Sequence, residues 1–197
     1  MTVDRNGKHE SVRLLGVDTP ETKDPRKAVE YFGKEAAAFT GNLLAGESVF
    51  VLEEQPEHPT PGRRALVVAG THGKTTTSSV LTWMLRVAGR DPSWMIGGVP
   101  QNLARGSHLG GGESIVLEGD EYDTAFFDKG SKFFHYAPFR AIVTSVEYDH
   151  ADIFADLEAV KAAFVRFVGL IPAEGDLVVC ADDAGAVEVA KAARCPV

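Results

Sequence analysis

Cysteine is scarce: Cys180 and Cys195 are the only two in 197 residues, too few for a disulfide scaffold and in keeping with a reducing compartment. An excess of basic charge is also missing. Twenty Lys+Arg stand against 28 Asp+Glu, for a net charge of −8. Residues 1–60 hold 7 basic and 11 acidic side chains, leaving 13 and 17 in residues 61–197, so each part sits at −4. Neither carries the cationic surface of a nucleic-acid or anionic-membrane binder. No apolar run approaches the ~18 residues of a membrane span. The opening Met-Thr-Val-Asp-Arg-Asn-Gly-Lys has no apolar stretch of the secretory kind. Aromatics make up only 9%, and Phe126, Phe127, Phe133 and Phe134 have no basic stripe beside them, so they read as core and loop anchors rather than a base-stacking platform. No internal repeat or low-complexity tract is present. These absences leave a cytoplasmic globular protein with no membrane partner and no nucleic-acid partner expected.

Proline and glycine cluster in one place, Glu53-Glu54-Gln55-Pro56-Glu57-His58-Pro59-Thr60-Pro61-Gly62. Such a run cannot continue a helix or a central strand and reads as a linker or long turn. Before it, the patterns predict a strand over Ser11–Val17, a helix over Ala28–Leu44 and a short strand over Ser48–Leu52. After it, strand and helix patterns alternate. Strands are expected at Ala65–Ala69, Ser114–Leu117, Ala141–Val146 and Leu177–Cys180. Helices are expected over Thr75–Ala88, from Asp156 as cap to Leu170, and over Asp182–Ala193. That alternation implies an α/β fold, a mostly parallel sheet flanked by helices, with ligands at the carboxyl ends of its strands. Cys180, on an apolar strand, is expected to be buried, and Cys195, near the end, exposed.

Gly70-Thr71-His72-Gly73-Lys74-Thr75-Thr76-Thr77 lies between one such strand and helix. Glycines there let backbone N–H groups approach phosphate oxygens, and the helix adds its positive N-terminal end. Lys74 supplies a point charge and Thr75 a hydroxyl for magnesium. The spacing is the shorter Gly-x-x-Gly-Lys-Thr, with Val68 standing where the commonest phosphate loop has its first glycine. The side chain of His72 could touch nucleotide or face solvent. Two acidic runs, Leu117-Glu118-Gly119-Asp120-Glu121-Tyr122-Asp123 and Glu147-Tyr148-Asp149-His150, each follow a predicted strand. Their carboxylates and imidazole suit a magnesium ion shared with nucleotide, although each run alone could be a solvated loop.

With these motifs, residues from about 62 to 197 resemble the central ATP-binding domain of the Mur ligase family. Ile96-Gly97-Gly98-Val99-Pro100, Tyr122-Asp123-Thr124-Ala125-Phe126-Phe127-Asp128-Lys129 and Asp149-His150-Ala151-Asp152-Ile153-Phe154 resemble its murein-peptide ligase branch. The resemblance implies amide formation between UDP-N-acetylmuramate and L-alanyl-γ-D-glutamyl-meso-diaminopimelate through an acyl phosphate, in cell-wall recycling. It implies that Gly70, Thr71, His72, Gly73, Lys74, Thr75 and Thr76 bind ATP and that Lys74 neutralises the transferring phosphoryl group. Thr75 would hold one magnesium, and Glu118 and His150 a second near the acyl phosphate. Gly119 and Ser145 depart from the usual alanine and asparagine of the family's motifs. The family's UDP-sugar and C-terminal domains are not recognisable in the chain. The chain alone is therefore expected to bind MgATP weakly and not to ligate, its sugar and tripeptide substrates requiring those domains.

Residues before the proline run resemble the staphylococcal-nuclease-like (thermonuclease) family, an OB-type β-barrel. The match lies in Val12-Arg13-Leu14-Leu15-Gly16-Val17-Asp18-Thr19-Pro20-Glu21-Thr22 and Tyr31-Phe32-Gly33-Lys34-Glu35. By that resemblance Arg13 would contact a phosphodiester, Asp18 and Thr19 would hold calcium, and Glu21 would act on the attacking water. A second arginine would fall near Arg63, in a stretch that also leads into the phosphate loop. The organisation expected is a truncated barrel fragment with one helix over 1–56, a linker over 57–62 and the central ATP-binding domain over 63–197. The alternatives to a ligase fragment are a calcium-dependent phosphodiesterase and a non-catalytic chimera of two partial folds.

Overall fold

A computed structural model describes residues 2–5, 8–11, 63–122 and 130–197. The chain divides into two units, Met1–Glu53 and Glu54–Val197. In the first, strands β1 (Thr2–Arg5) and β2 (Lys8–Ser11) form an antiparallel hairpin, with Val3 opposite Glu10. The sequence patterns gave no element before Ser11. The strand expected through Val17, the helix over 28–44, the short strand over 48–52 and the linker lie outside the described residues.

The second unit is built on a six-stranded sheet. Its strands are β3 (Arg64–Ala69), β4 (Ser93–Met95), β5 (Ser107–His108), β6 (Ser114–Gly119), β7 (Arg140–Val143) and β8 (Asp176–Val179), in the spatial order β5-β4-β6-β3-β7-β8. All neighbours are parallel except β5, which runs antiparallel to β4. β3 is central because Val67, Val68 and Ala69 bury side chains on both faces, as a covered parallel strand requires. Helix α1 (Lys74–Val87) puts Leu81 and Leu85 against Leu66, Trp94, Ile96 and Val116 on one face. Helices α2 (Leu157–Val168) and α3 (Ala184–Ala190) cover the other, where Phe164, Phe167 and Val189 join Val67, Leu117 and Phe133. Phe133 and Phe134 are the core and loop anchors expected, one fully buried and one packed at the margin. Phe126 and Phe127 lie outside the described residues.

Two helices start on aspartates. Asp156 accepts from Ala159 N at 2.8 Å, as its position predicts. Asp183, one residue beyond the expected start, accepts from Ala186 N at 2.6 Å and also from Val146 N at 3.0 Å. Because Asp183 ties α3 to the segment after β7, Asp183→Ala should cost about 2 kcal/mol in denaturant unfolding, against about 1 kcal/mol for Asp156→Ala. Equal losses would mean the second hydrogen bond contributes nothing.

The cysteine expectation is reversed. Cys180 is exposed and Cys195 is buried in the main core. β8 is an edge strand whose last residues emerge from the sheet, with Val178 also exposed. The segment after α3 turns back so that Leu177 N donates to Pro196 O at 3.0 Å, which carries Cys195 inward.

Candidate functional site

The chain leaves β3 to form β6 on one side and β7 on the other, so the carboxyl end of β3 is the point where strand order reverses. The glycine loop sits there. Gly70 has φ +137°, and a Cβ on it would meet Thr144 Oγ1 at 2.0 Å and Ser145 N at 2.9 Å. The loop is fastened to the segment following β7. Thr71 N donates to Ser145 O at 2.9 Å, His72 N to Ser145 Oγ at 3.0 Å, and Glu147 N to Thr71 Oγ1 at 2.9 Å. Thr144 Oγ1 donates to His72 O at 2.5 Å. Ser145, the departure from the usual asparagine, thus anchors the loop twice. The His72 side chain is exposed, 3.8 Å from Glu147.

Gly73, at φ +79°, begins α1 with no side-chain cap and no acidic residue in the first turn. Unlike α2 and α3, this helix start has no carboxylate of its own, so its first-turn N–H groups suit an external anion. Lys74 Nζ donates to Gly70 O at 2.8 Å, to Thr71 O at 3.4 Å and to Glu121 Oε2 at 2.8 Å. Thr75 Oγ1 donates to Glu118 Oε1 at 2.6 Å, and Gly97 N to Glu118 Oε2 at 2.8 Å. Thr76 is exposed in the same turn.

Thr75 therefore meets Glu118 while Lys74 meets Glu121, and Glu118 and His150, expected to share a magnesium, have different partners. His150 Nε2 lies 3.2 Å from Glu121 Oε1. Glu121 is only 2% exposed and joins Lys74 to His150. Sequence reasoning quoted Glu121 within its run but gave it no role, because spacing cannot tell which of neighbouring carboxylates turns inward. It likewise quoted Gly97 without a role, and it missed Thr144.

The adjacent hydroxyl of Thr75 and carboxylate of Glu118 are hard oxygen donors beside an uncapped helix start. They fit magnesium, which takes one or two protein oxygens and fills its other positions with phosphate and water. Among the described residues no group of three or more His, Cys, Asp or Glu is arranged to hold a metal ion alone. Phosphate oxygens would have to complete the shell.

Tyr136 lies close enough to feel this charge. Burial, then Asp120 and Glu118, push its hydroxyl up to about 12. The folded state thus keeps the phenol protonated where the unfolded chain, near 10, loses its proton. The resulting stability, about 3 kcal/mol, is complete below pH 10 and is lost as pH rises from about 10 to about 12. Tyr136→Phe should flatten this part of the stability profile. An unchanged fall between pH 9.5 and 11.5 would assign it to other groups.

Arg13, Asp18, Thr19 and Glu21 lie outside the described residues. Arg63 donates to Gly110 O at 2.6 Å and to Gly112 O at 3.2 Å, so its guanidinium is engaged in supporting the loop before β6. Among the described residues no helix is long and apolar enough to cross a membrane.

A mostly parallel sheet flanked by helices, with a glycine-turned loop leading from its central strand into an uncapped helix, defines an α/β domain. The model of the Mur ligase middle domain matches residues 68–197, more than half of the chain, and the chain belongs to the Mur ligase family. The model of the staphylococcal nuclease homologues matches residues 11–74. Where the two overlap, β3 is already the central strand of the Mur-type sheet. The UDP-N-acetylmuramate–L-alanyl-gamma-D-glutamyl-meso-2,6-diaminoheptandioate ligase of Escherichia coli is 50% identical over 116 residues, 59% of this chain and 25% of that protein. A UDP-N-acetylmuramate–L-alanine ligase of Salinispora arenicola is 45% identical over 68% of this chain and 25% of its own length. The crystal structure of UDP-N-acetylmuramate:L-alanyl-gamma-D-glutamyl-meso-diaminopimelate ligase from Neisseria meningitides superposes with a TM-score of 0.64 at 43% identity, covering 70% of this chain and 45% of that one. The chain thus spans about a quarter of the curated relatives it matches.

Proposed function

We propose that residues 63–197 bind MgATP and form the nucleotide-binding part of an amide ligase of the murein-peptide type. In that reaction the carboxylate of UDP-N-acetylmuramate is activated as an acyl phosphate and captured by the amine of the murein tripeptide. The observation that carries the reading is the uncapped start of α1, with Lys74 aimed by Gly70 O and Glu121 and with Thr75 against Glu118.

Each group has a role that follows from its chemistry. The turn at Gly73 and the first N–H groups of α1 receive phosphate oxygens, and Lys74 neutralises charge gathering on the transferred group. Thr75 and Glu118 would hold magnesium, which would screen the phosphates from one another and from the attacking carboxylate. Gly97, bonded to Glu118, draws the Ile96-Gly97-Gly98 turn over this site.

Calorimetric titration of MgATP into the 197-residue chain tests the proposal. Binding should be measurable and should weaken about 100-fold in Lys74→Ala, the effect of losing a charge-assisted contact to phosphate. Absence of heat with the folded wild-type chain would refute nucleotide binding. No amide product is expected from this chain alone, since the relatives perform ligation with about four times its matched length.

A further inference from the structure

We infer that Glu121 is a positioning residue. One oxygen of its buried carboxylate fixes the Lys74 ammonium at the mouth of the loop, and the other fixes the His150 ring with Nε2 protonated and the Nδ1 lone pair free to bind. The geometry stands by itself; its consequence for MgATP rests on the nucleotide-binding reading above.

An ammonium group has three donors. Those of Lys74 go to Gly70 O and Glu121 Oε2, both at 2.8 Å, and to Thr71 O at the longer 3.4 Å. A phosphate oxygen can take the third, weakest contact while the other two persist. Leaving Glu121 altogether would strand a carboxylate that is 2% exposed, so the ammonium meets phosphate from a fixed point.

His150 is held as firmly. Its backbone has φ +58°, its N–H donates to Asp149 Oδ1 at 2.7 Å, and its carbonyl accepts from Ile153 N and Phe154 N. The Tyr122 ring meets the imidazole edge-on at 4.8 Å. An ionised carboxylate only accepts, so the nitrogen facing Glu121 at 3.2 Å must be the donor. Carboxylates commonly orient metal-binding histidines in this way, so Nδ1, which lies 4.0 Å from Asp149 Oδ1, would be the atom offered to a metal.

Glu121→Gln separates this role from a merely structural one. An amide offers oxygen to only one neighbour, and Lys74 has no lone pair, so the oxygen must serve Lys74 and the NH2 must face His150. The His150 proton should then move to Nδ1. Nitrogen-15 NMR of the imidazoles in the full chain at pH 8, with His150→Gln to assign the signal, should show protonated Nε2 in the wild type and protonated Nδ1 in Glu121→Gln. A bare Nε2 in the wild type, or a tautomer indifferent to the substitution, overturns the proposal. MgATP affinity should fall about 10-fold in Glu121→Gln. An unchanged affinity alongside a moved proton would overturn the link to the loop. If the wild-type chain binds no MgATP, the nucleotide reading fails while the NMR result still decides what Glu121 does.

Discussion

Lys74→Met is expected to lose MgATP binding and also to lower the thermal midpoint by about 10 °C. The two losses have different causes. Binding goes because no cation remains beside the start of α1 to meet phosphate. Stability goes because Glu121, buried to 2% exposure, loses its ammonium partner and is left with His150 as its only remaining partner among these contacts. Removing one partner of a buried ion pair costs about 3–5 kcal/mol, and in a unit of this size that corresponds to roughly 10 °C. The double variant Lys74→Met/Glu121→Gln should therefore regain at least half of the lost midpoint, since a neutral amide needs no counter-charge, yet still bind no nucleotide. Differential scanning calorimetry and titration of the same samples give both readouts. Nucleotide binding by the double variant would show that Lys74 is not the phosphate's cation. A single variant as stable as wild type would show that the buried pair contributes no stability.

Gly70→Ala should be the most damaging small substitution in the loop. At φ +137° a side chain is strained wherever it stands, and the added Cβ would be driven into Thr144 Oγ1 at 2.0 Å. Moving Thr144 breaks its hydrogen bonds to His72 O and Ala69 O, which hold the loop to the end of β3. A loss of about 4 kcal/mol follows from strain and clash together, or a drop of roughly 2 M in the urea midpoint. Gly73→Ala provides the contrast. There the new Cβ would meet only Thr144 Cβ at 4.0 Å, so backbone strain of about 1–2 kcal/mol is the whole cost. The ordering of the two variants is the test. Equal midpoints would mean that β3 and the residues after β7 are not in the close contact described.

Several elements were legible because their signals are local. The apolar run of β3, the helix closed near Gly89 and the Asp156 cap each rest on residues adjacent in sequence. The three-residue β4 and two-residue β5 were not read, because strands so short carry no periodicity. They exist because β6 offers β4 a parallel edge, and β4 in turn pairs Trp94 with His108. At the site, Lys74, Thr75 and Glu118 followed from motif chemistry. Ser145 and Thr144 did not, because their contribution lies in reaching a loop more than seventy residues earlier in the chain.

The sequence by itself determined the α/β alternation, the glycine loop between strand and helix, and the residue types available for phosphate and magnesium. Those are set by backbone freedom, side-chain charge and apolar spacing over a few residues. Only the tertiary structure decided that Glu121, rather than Glu118, meets His150, and that Cys195 is buried while Cys180 is exposed. Burial and pairing of this kind depend on which strands become neighbours. Parallel pairing of β6, β3 and β7 brings together segments that no local pattern connects.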